Sequence, residues 1–465
     1  MVARTNKEID VLLRHFKKVP QSSILGDLLI SQAGMDEDDV PEYEIRFSNC
    51  EFKNDLVISE IVNSAIFISC KFSGTVKVNN VTKAIQLEFT DCVFNSEVEF
   101  EDNVISVFTF NSNEVKDRVG VKNFESKYFT IHKLNTEQGY FILANPKIQN
   151  FSFIEFDKKS SFTVQVIKPK DKQNNWDYYI QKAHFFLSPE NSSSVFVSDI
   201  CIKELLIEGG SRDADIYFDS IKTQIVELKK FNCSSELRFK EVRKLDAVEK
   251  AVLKISSTQL SKVRLFNVDF NFFNDVLMTD SVVSEINYGN VTWCNEINNS
   301  YMERTDSFFQ SKEIYRQLKS IMINNHDKIS ELKFHKLEMN AYLNGVLLKP
   351  GKYAEKFILG TNYISNNHGL SWTWSFWWII GISLIVFNLN KFLLGYNGFD
   401  SSLFFEDAAN WLLSINPVRK FSDVYKGHNL GWQQGLAQFI DVFMRIVYSY
   451  LIFQFISAFR KYVKK

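Results

Sequence analysis

The sequence predicts a β-solenoid followed by an α-helical hairpin and a two-span α-helical membrane domain. Three observations predict it: a hexapeptide recurring at near-constant spacing in the first hundred residues, a switch to helical periodicity near residue 307, and uncharged apolar stretches among the last hundred residues. At 465 residues, 45% hydrophobic and 23% charged, the chain is long enough for two or three domains and is neither disordered nor fibrous.

Composition divides it. Six of the eight tryptophans (Trp372, Trp374, Trp377, Trp378, Trp411, Trp432) lie near the end, and the net charge is −8 over residues 1–300 and +7 beyond. A basic end beside long apolar runs suits the anionic cytoplasmic face of a membrane better than nucleic acid, and no nucleic-acid partner is expected. The expected domains are an N-terminal helix and cap (1–44), the solenoid (45–300), a helical hairpin linker (301–365) and the membrane domain (366–465). The first residues carry no apolar secretory core, so the solenoid is expected to stay in the cytosol. All six cysteines lie before residue 300 without CxxC or metal-type spacing, which predicts reduced, buried thiols and no metal or other cofactor.

The recurring hexapeptides are Phe47-Ser48-Asn49-Cys50-Glu51-Phe52, Phe67-Ile68-Ser69-Cys70-Lys71-Phe72 and Phe89-Thr90-Asp91-Cys92-Val93-Phe94, spaced by 20 and then 22 residues. Such a period marks units that bury their apolar faces only by stacking. Period-2 alternation in Leu56-Val57-Ile58 and Val76-Lys77-Val78 makes the units strands. Phe-x-x-Cys-x-Phe resembles two consecutive units of a pentapeptide-repeat protein. The resemblance implies a right-handed parallel β-helix, four units and about 20 residues per coil, with the phenylalanines on the axis and Cys50, Cys70 and Cys92 stacked as a ladder of small core residues. Beyond residue 100 the pattern is degenerate, with echoes at Phe110-Asn111-Ser112-Asn113, Phe231-Asn232-Cys233, Phe266–Phe270 and Tyr288–Trp293. Polar insertions at 168–175 and 188–194 read as loops leaving the coil, and the path between about 130 and 230 stays open. Some pentapeptide-repeat proteins mimic DNA with an acidic surface; here the charge is too mixed in sign, as at Lys229-Lys230 and Arg243-Lys244, and a surface for a cytosolic protein partner is the plainer expectation.

From residue 307 the period changes. Ile314, Leu318 and Ile321 form one helical stripe and Ile329, Leu332, Leu337 and Met339 a second, with a break at Asn324–Asp327 and Asp327 as N-cap. The strings Lys312–Lys319 and Asp327–Met339 resemble the linker of bacterial membrane proteins that join a pentapeptide-repeat domain to a two-span, channel-like terminus. Arg316, Lys319, Glu331 and Glu338 read either as a site or as the solvated face of amphipathic helices.

No charge occurs between His368 and Lys391, so a first span is expected at about 372–390, its tryptophans forming an interfacial belt. A second is expected at about 438–459. It carries Asp441 and Arg445, whose i, i+4 spacing lets them neutralise each other; an unpaired charge costs on the order of 3 kcal/mol at the membrane centre. Snorkelling of both to an interface is the alternative. Residues 403–415 are too short to cross and suit a re-entrant or interfacial helix stopped at Asn416-Pro417. Its Glu406 and Asp407 are either pore-mouth residues or a solvated helix start. No filter like that of potassium channels follows it.

Lysines 349, 352 and 356 before the first span and Arg460, Lys461, Lys464 and Lys465 after the second place both termini in the cytoplasm, in an inner membrane. No P-loop, dinucleotide, serine-hydrolase or zinc-protease motif is present, and an enzyme is not expected. Two functions follow: a homo-oligomeric membrane effector whose solenoid senses a partner and controls a channel-like or bilayer-perturbing domain, or a membrane-anchored, non-enzymatic scaffold. The resemblance implies a bacterial stress or antiviral-defence setting.

Overall fold

The computed structural model describes residues 23–25, 28–35, 41–53, 55–59, 61, 64–82, 84–136, 140–156, 161–165, 179–188, 194–211, 215–245, 250–297, 304–395, 404–425 and 431–463. The chain forms two compact units, Met1–Met302 and Glu303–Lys465.

The first is a parallel β-solenoid of about nine turns. Phe47 stacks on Phe67 and Phe67 on Phe89, ring centroids 4.8 Å apart at both steps and the planes within 8°. Phe52, Phe72 and Phe94 form a second column at 4.7 Å. These are strand spacings: the backbone ladder sets the rings at van der Waals contact, and the two columns meet edge to face at 5.6–5.9 Å. All six rings are at most 1% exposed.

Regularity outlasts the sequence pattern. In register below Phe89 lie Phe110, Ile131, Phe153, Phe185, Ile207, Leu228, Ile255 and Met278, so the coil continues through the stretch where the sequence left its path open. The echo at Phe110–Asn113 shows how. Cys70 and Cys92 each reach back to the carbonyl of the preceding coil's phenylalanine, Phe47 and Phe67, at 3.4 Å. Asn113 takes the next rung, donating from Nδ2 to the Phe89 carbonyl at 2.9 Å while its Oδ1 accepts the Cys92 amide at 2.8 Å. Most of both polar insertions, residues 166–178 and 189–193, lies outside the described residues.

Left-handed residues mark many of the bends, and these fall into two columns. One runs through Asn49, Ser69, Asp91, Ser112 and Lys133; the other through Asn80, Asp102, Asn123 and Asn145, then Asp199, Ser220, Glu241, Asn267 and Asn290. Asn, Asp and Ser dominate because short polar side chains tolerate positive φ and bond locally. Asn145 donates to Asn123 at 2.8 Å, and Asn123 to Asp102 at 2.7 Å. Outside, charges pair from coil to coil, as Lys77 with Glu99 at 2.7 Å, Lys147 with Glu125 at 3.0 Å and Arg264 with Glu236 at 2.9 Å.

The helix expected within residues 1–44 is corrected where that range is described. Ser23–Leu25, Leu28–Met35 and Pro41–Ser48 are antiparallel strands, and Pro41–Ser48 then starts the parallel stack on Ser64–Ile68. An open parallel edge needs backbone partners, and a hairpin supplies them where a helix would not. Residues 1–22 lie outside the described residues.

All six cysteines are buried. The Cys50 thiol draws the Cys70 pKa down, but its bond to Cys92 and burial prevail and push it up to about 12. A maleimide probe is therefore expected to spare the native cysteines and label them only in denaturant. Rapid native labelling of Cys70 would contradict the stacked coil.

The described residues of the second unit form six α-helices: α1 (Arg304–Asn324), α2 (Lys328–Leu348), α3 (Tyr353–Asn366), α4 (Trp372–Leu393), α5 (Phe404–Ser414) and α6 (Trp432–Val463). α1 and α2 form the hairpin, and Asp327 caps α2 by accepting the Ser330 amide at 3.0 Å. Ile314, Leu318 and Ile321 are buried on α1. The stripe expected on α2 is corrected: Ile329 is 84% exposed, and the buried face runs through Phe334, Glu338, Ala341 and Val346. Glu338 tolerates that face because Lys319 binds it at 2.5 Å, while Arg316 and Glu331 lie in partly exposed local pairs with Glu313 and Lys328. α3 extends the linker beyond the hairpin that the sequence suggested.

Candidate functional site: charges buried between apolar helices

α4 and α6 are long and apolar enough to cross a membrane. Both overrun the expected spans, α4 to Leu393 and α6 from Trp432. Only 28% of the apolar window of α4 and 17% of that of α6 is covered by the rest of the chain, which leaves Trp377, Phe392, Phe439, Ile446 and Phe453 outward.

Against this apolar background three polar contacts stand out. Asp441 on α6 is 2% exposed and accepts from two arginines. Arg445, one turn on, donates from Nη2 at 2.6 Å and from Nε at 2.9 Å to Oδ2. Arg419, from the segment between α5 and α6, donates to Oδ1 through Nη2 and to Oδ2 through Nη1. The side chain of Arg419 is 4% exposed and that of Arg445 22%. Asp441 and Arg445 are thus paired, and the partner that the sequence did not indicate, Arg419, is the more buried one. Two guanidiniums on one carboxylate leave a net positive charge. Arg419 is held in turn over the Tyr425 ring, 5.8 Å from its centroid, and Tyr425 packs with Phe387, Leu394, Val424 and Ala437. Burial pushes the Tyr425 phenol up to about 12.

The second contact separates Glu406 from Asp407. Glu406 is exposed, whereas Asp407 turns inward onto Lys391 of α4, both carboxylate oxygens 2.8 Å from Nζ. Successive helical positions point about 100° apart, so the two never formed one acidic rim. Trp411 pins the other end of α5 by donating to Ser383 at 2.9 Å. The third contact is that of Gln454 on α6, whose amide donates to Asn362 at 3.1 Å and accepts from Asn366, both on α3.

Among the described residues no cluster of His, Cys, Asp and Glu could hold a metal ion. No family model, curated protein or solved structure matches this chain. Its functional reading rests on these contacts, whose chemistry is electrostatic: fixed, paired charges inside a helix pair whose outer surface is apolar.

Proposed function

We propose that the chain is a homo-oligomeric membrane effector, in which a cytosolic solenoid binds a partner and the helical unit opens a pore or perturbs the bilayer. The buried Arg419–Asp441–Arg445 cluster carries this reading. Charges in a bilayer are costly, and a passive anchor has no use for them. Two helices cannot enclose a pore, so the apolar faces of α4 and α6 would meet lipid and further copies of the chain. A membrane-anchored scaffold is the second reading. It is favoured by the fact that Asp441, Asp407 and Gln454 are all satisfied within one chain, as a static anchor would have them.

Planar-bilayer recording of the purified chain separates the two. Stepwise conductance is expected of an effector, and its absence with the protein inserted leaves the scaffold. Topology has its own test: reporter fusions after Gly351, after Gly395 and after Lys465 are expected to read inside, outside, inside. Extraction of the protein by high salt alone would overturn the two-span arrangement.

A further inference from the structure

α3 ends in a tight corner. Asn367, His368 and Gly369 are three successive left-handed residues, and the amides of Leu370 and Ser371 return to the Asn366 carbonyl at 3.0 Å. Asn366 also accepts the Gly369 amide at 2.7 Å and ties the corner to α6 through Gln454. Such a corner places backbone and side chains with little freedom.

His368 is 6% exposed, and its Nε2 has no hydrogen-bond partner among the described residues. Lys461, in the last turns of α6, brings its ammonium against Gly369: a Cβ at that glycine would lie 2.6 Å from Nζ. Lys461 has no ion-pair partner among the described residues. The charges of His335 and Lys336 on α2 also bear on His368, and the hairpin carboxylates Glu331 and Glu338 are bound by Lys328 and Lys319. Desolvation first, then these positive fields, pushes the His368 imidazole down to about 4, so it is neutral at pH 7.

A buried nitrogen without a partner is unfavourable, and so is a half-buried ammonium without a counter-charge. One anion with several acceptor oxygens would relieve both. We infer that the corner formed by His368, Gly369 and Lys461 binds a phosphoryl group, with Lys461 Nζ and His368 Nε2 as donors. An ammonium offers three donors and the imidazole one, donors of the kind that a tetrahedral oxyanion accepts. α4 starts three residues later, and the positive end of its dipole favours the same charge. Two sources share this chemistry, the headgroup of an anionic lipid at the end of the spans and a free phosphate. The inference is independent of whether the helical unit conducts.

The test uses the full chain with 15N-labelled histidines, the His368 signal being assigned by its loss in His368→Gln. One arm titrates inorganic phosphate in micelles; the other compares nanodiscs of phosphatidylcholine with nanodiscs containing phosphatidylglycerol. A saturable shift of the His368 signal is expected, weakened about tenfold or more in Lys461→Gln, restored in Lys461→Arg and unchanged in Lys254→Gln on the solenoid. A shift in both arms supports the shared chemistry, a shift only with phosphatidylglycerol makes the ligand a lipid headgroup, and a shift only with phosphate makes it a soluble phosphate. No saturable shift in either arm, or one indifferent to Lys461→Gln in a variant with wild-type tryptophan fluorescence, overturns the proposal.

Discussion

Asp441→Ala is expected to destabilise the helical unit by about 3–5 kcal/mol, because it leaves two guanidiniums facing each other in apolar surroundings. Arg445→Ala should cost far less, since Arg419 keeps the carboxylate paired from the buried side. Arg419→Ala falls between them. Thermal unfolding in detergent measures the order, and Arg445→Ala proving as damaging as Asp441→Ala would refute the clamp geometry. Removing the buried pair together, Arg419→Met with Asp441→Leu, should recover part of the lost stability, because an apolar pair of similar volume carries no desolvation penalty while the partly exposed Arg445 stays unpaired. That double variant also tests function. Conductance should vanish from it although it is folded and inserted; activity retained there would leave these charges a structural role only.

Phe72→Ala should cost about 3–5 kcal/mol, the range for emptying a buried aromatic site. Phe72 is 1% exposed and lies 4.7 Å from both Phe52 and Phe94, so its removal strips one face from each. A solenoid's stability is close to a sum of nearest-neighbour terms, and hydrogen exchange should therefore accelerate in the strands of those two coils before it does near Met278. Phe72→Leu should recover most of the loss. A cost below about 1 kcal/mol for Phe72→Ala would show that the ring is not enclosed as described.

The hexapeptides made the solenoid legible because they repeat both the inward ring and the small residue beside it. Later coils keep the volumes and the bonds but change the letters: Asn113 serves where Cys92 did, and Ile131, Ile207 and Leu228 stand where Phe89 did. Between Phe153 and Phe185 the inserted residues also break the spacing. Asp441 and Arg445 could be paired from the sequence because one helix turn joins them. Arg419 could not, because its approach depends on the path of the segment after Pro417, which no periodicity encodes. Lys391 looked like the end of a span and is instead the counter-charge that draws Asp407 inward. Its signal was present, as the first cation after an uncharged stretch, but its partner was not identifiable from spacing.

The paired columns of left-handed residues make the solenoid a ruler. From Asn80 to Asn145 neighbouring rungs of the second column are 21 or 22 residues apart, and each coil advances the structure by one strand spacing, about 4.8 Å. Adding or deleting a whole coil would change reach by that quantum and leave every remaining side chain facing as before. Losing a single residue would turn the strand inside out until the next corner. Length in this unit is therefore adjustable only in whole steps, and the distance over which its surface can meet a partner is counted in coils.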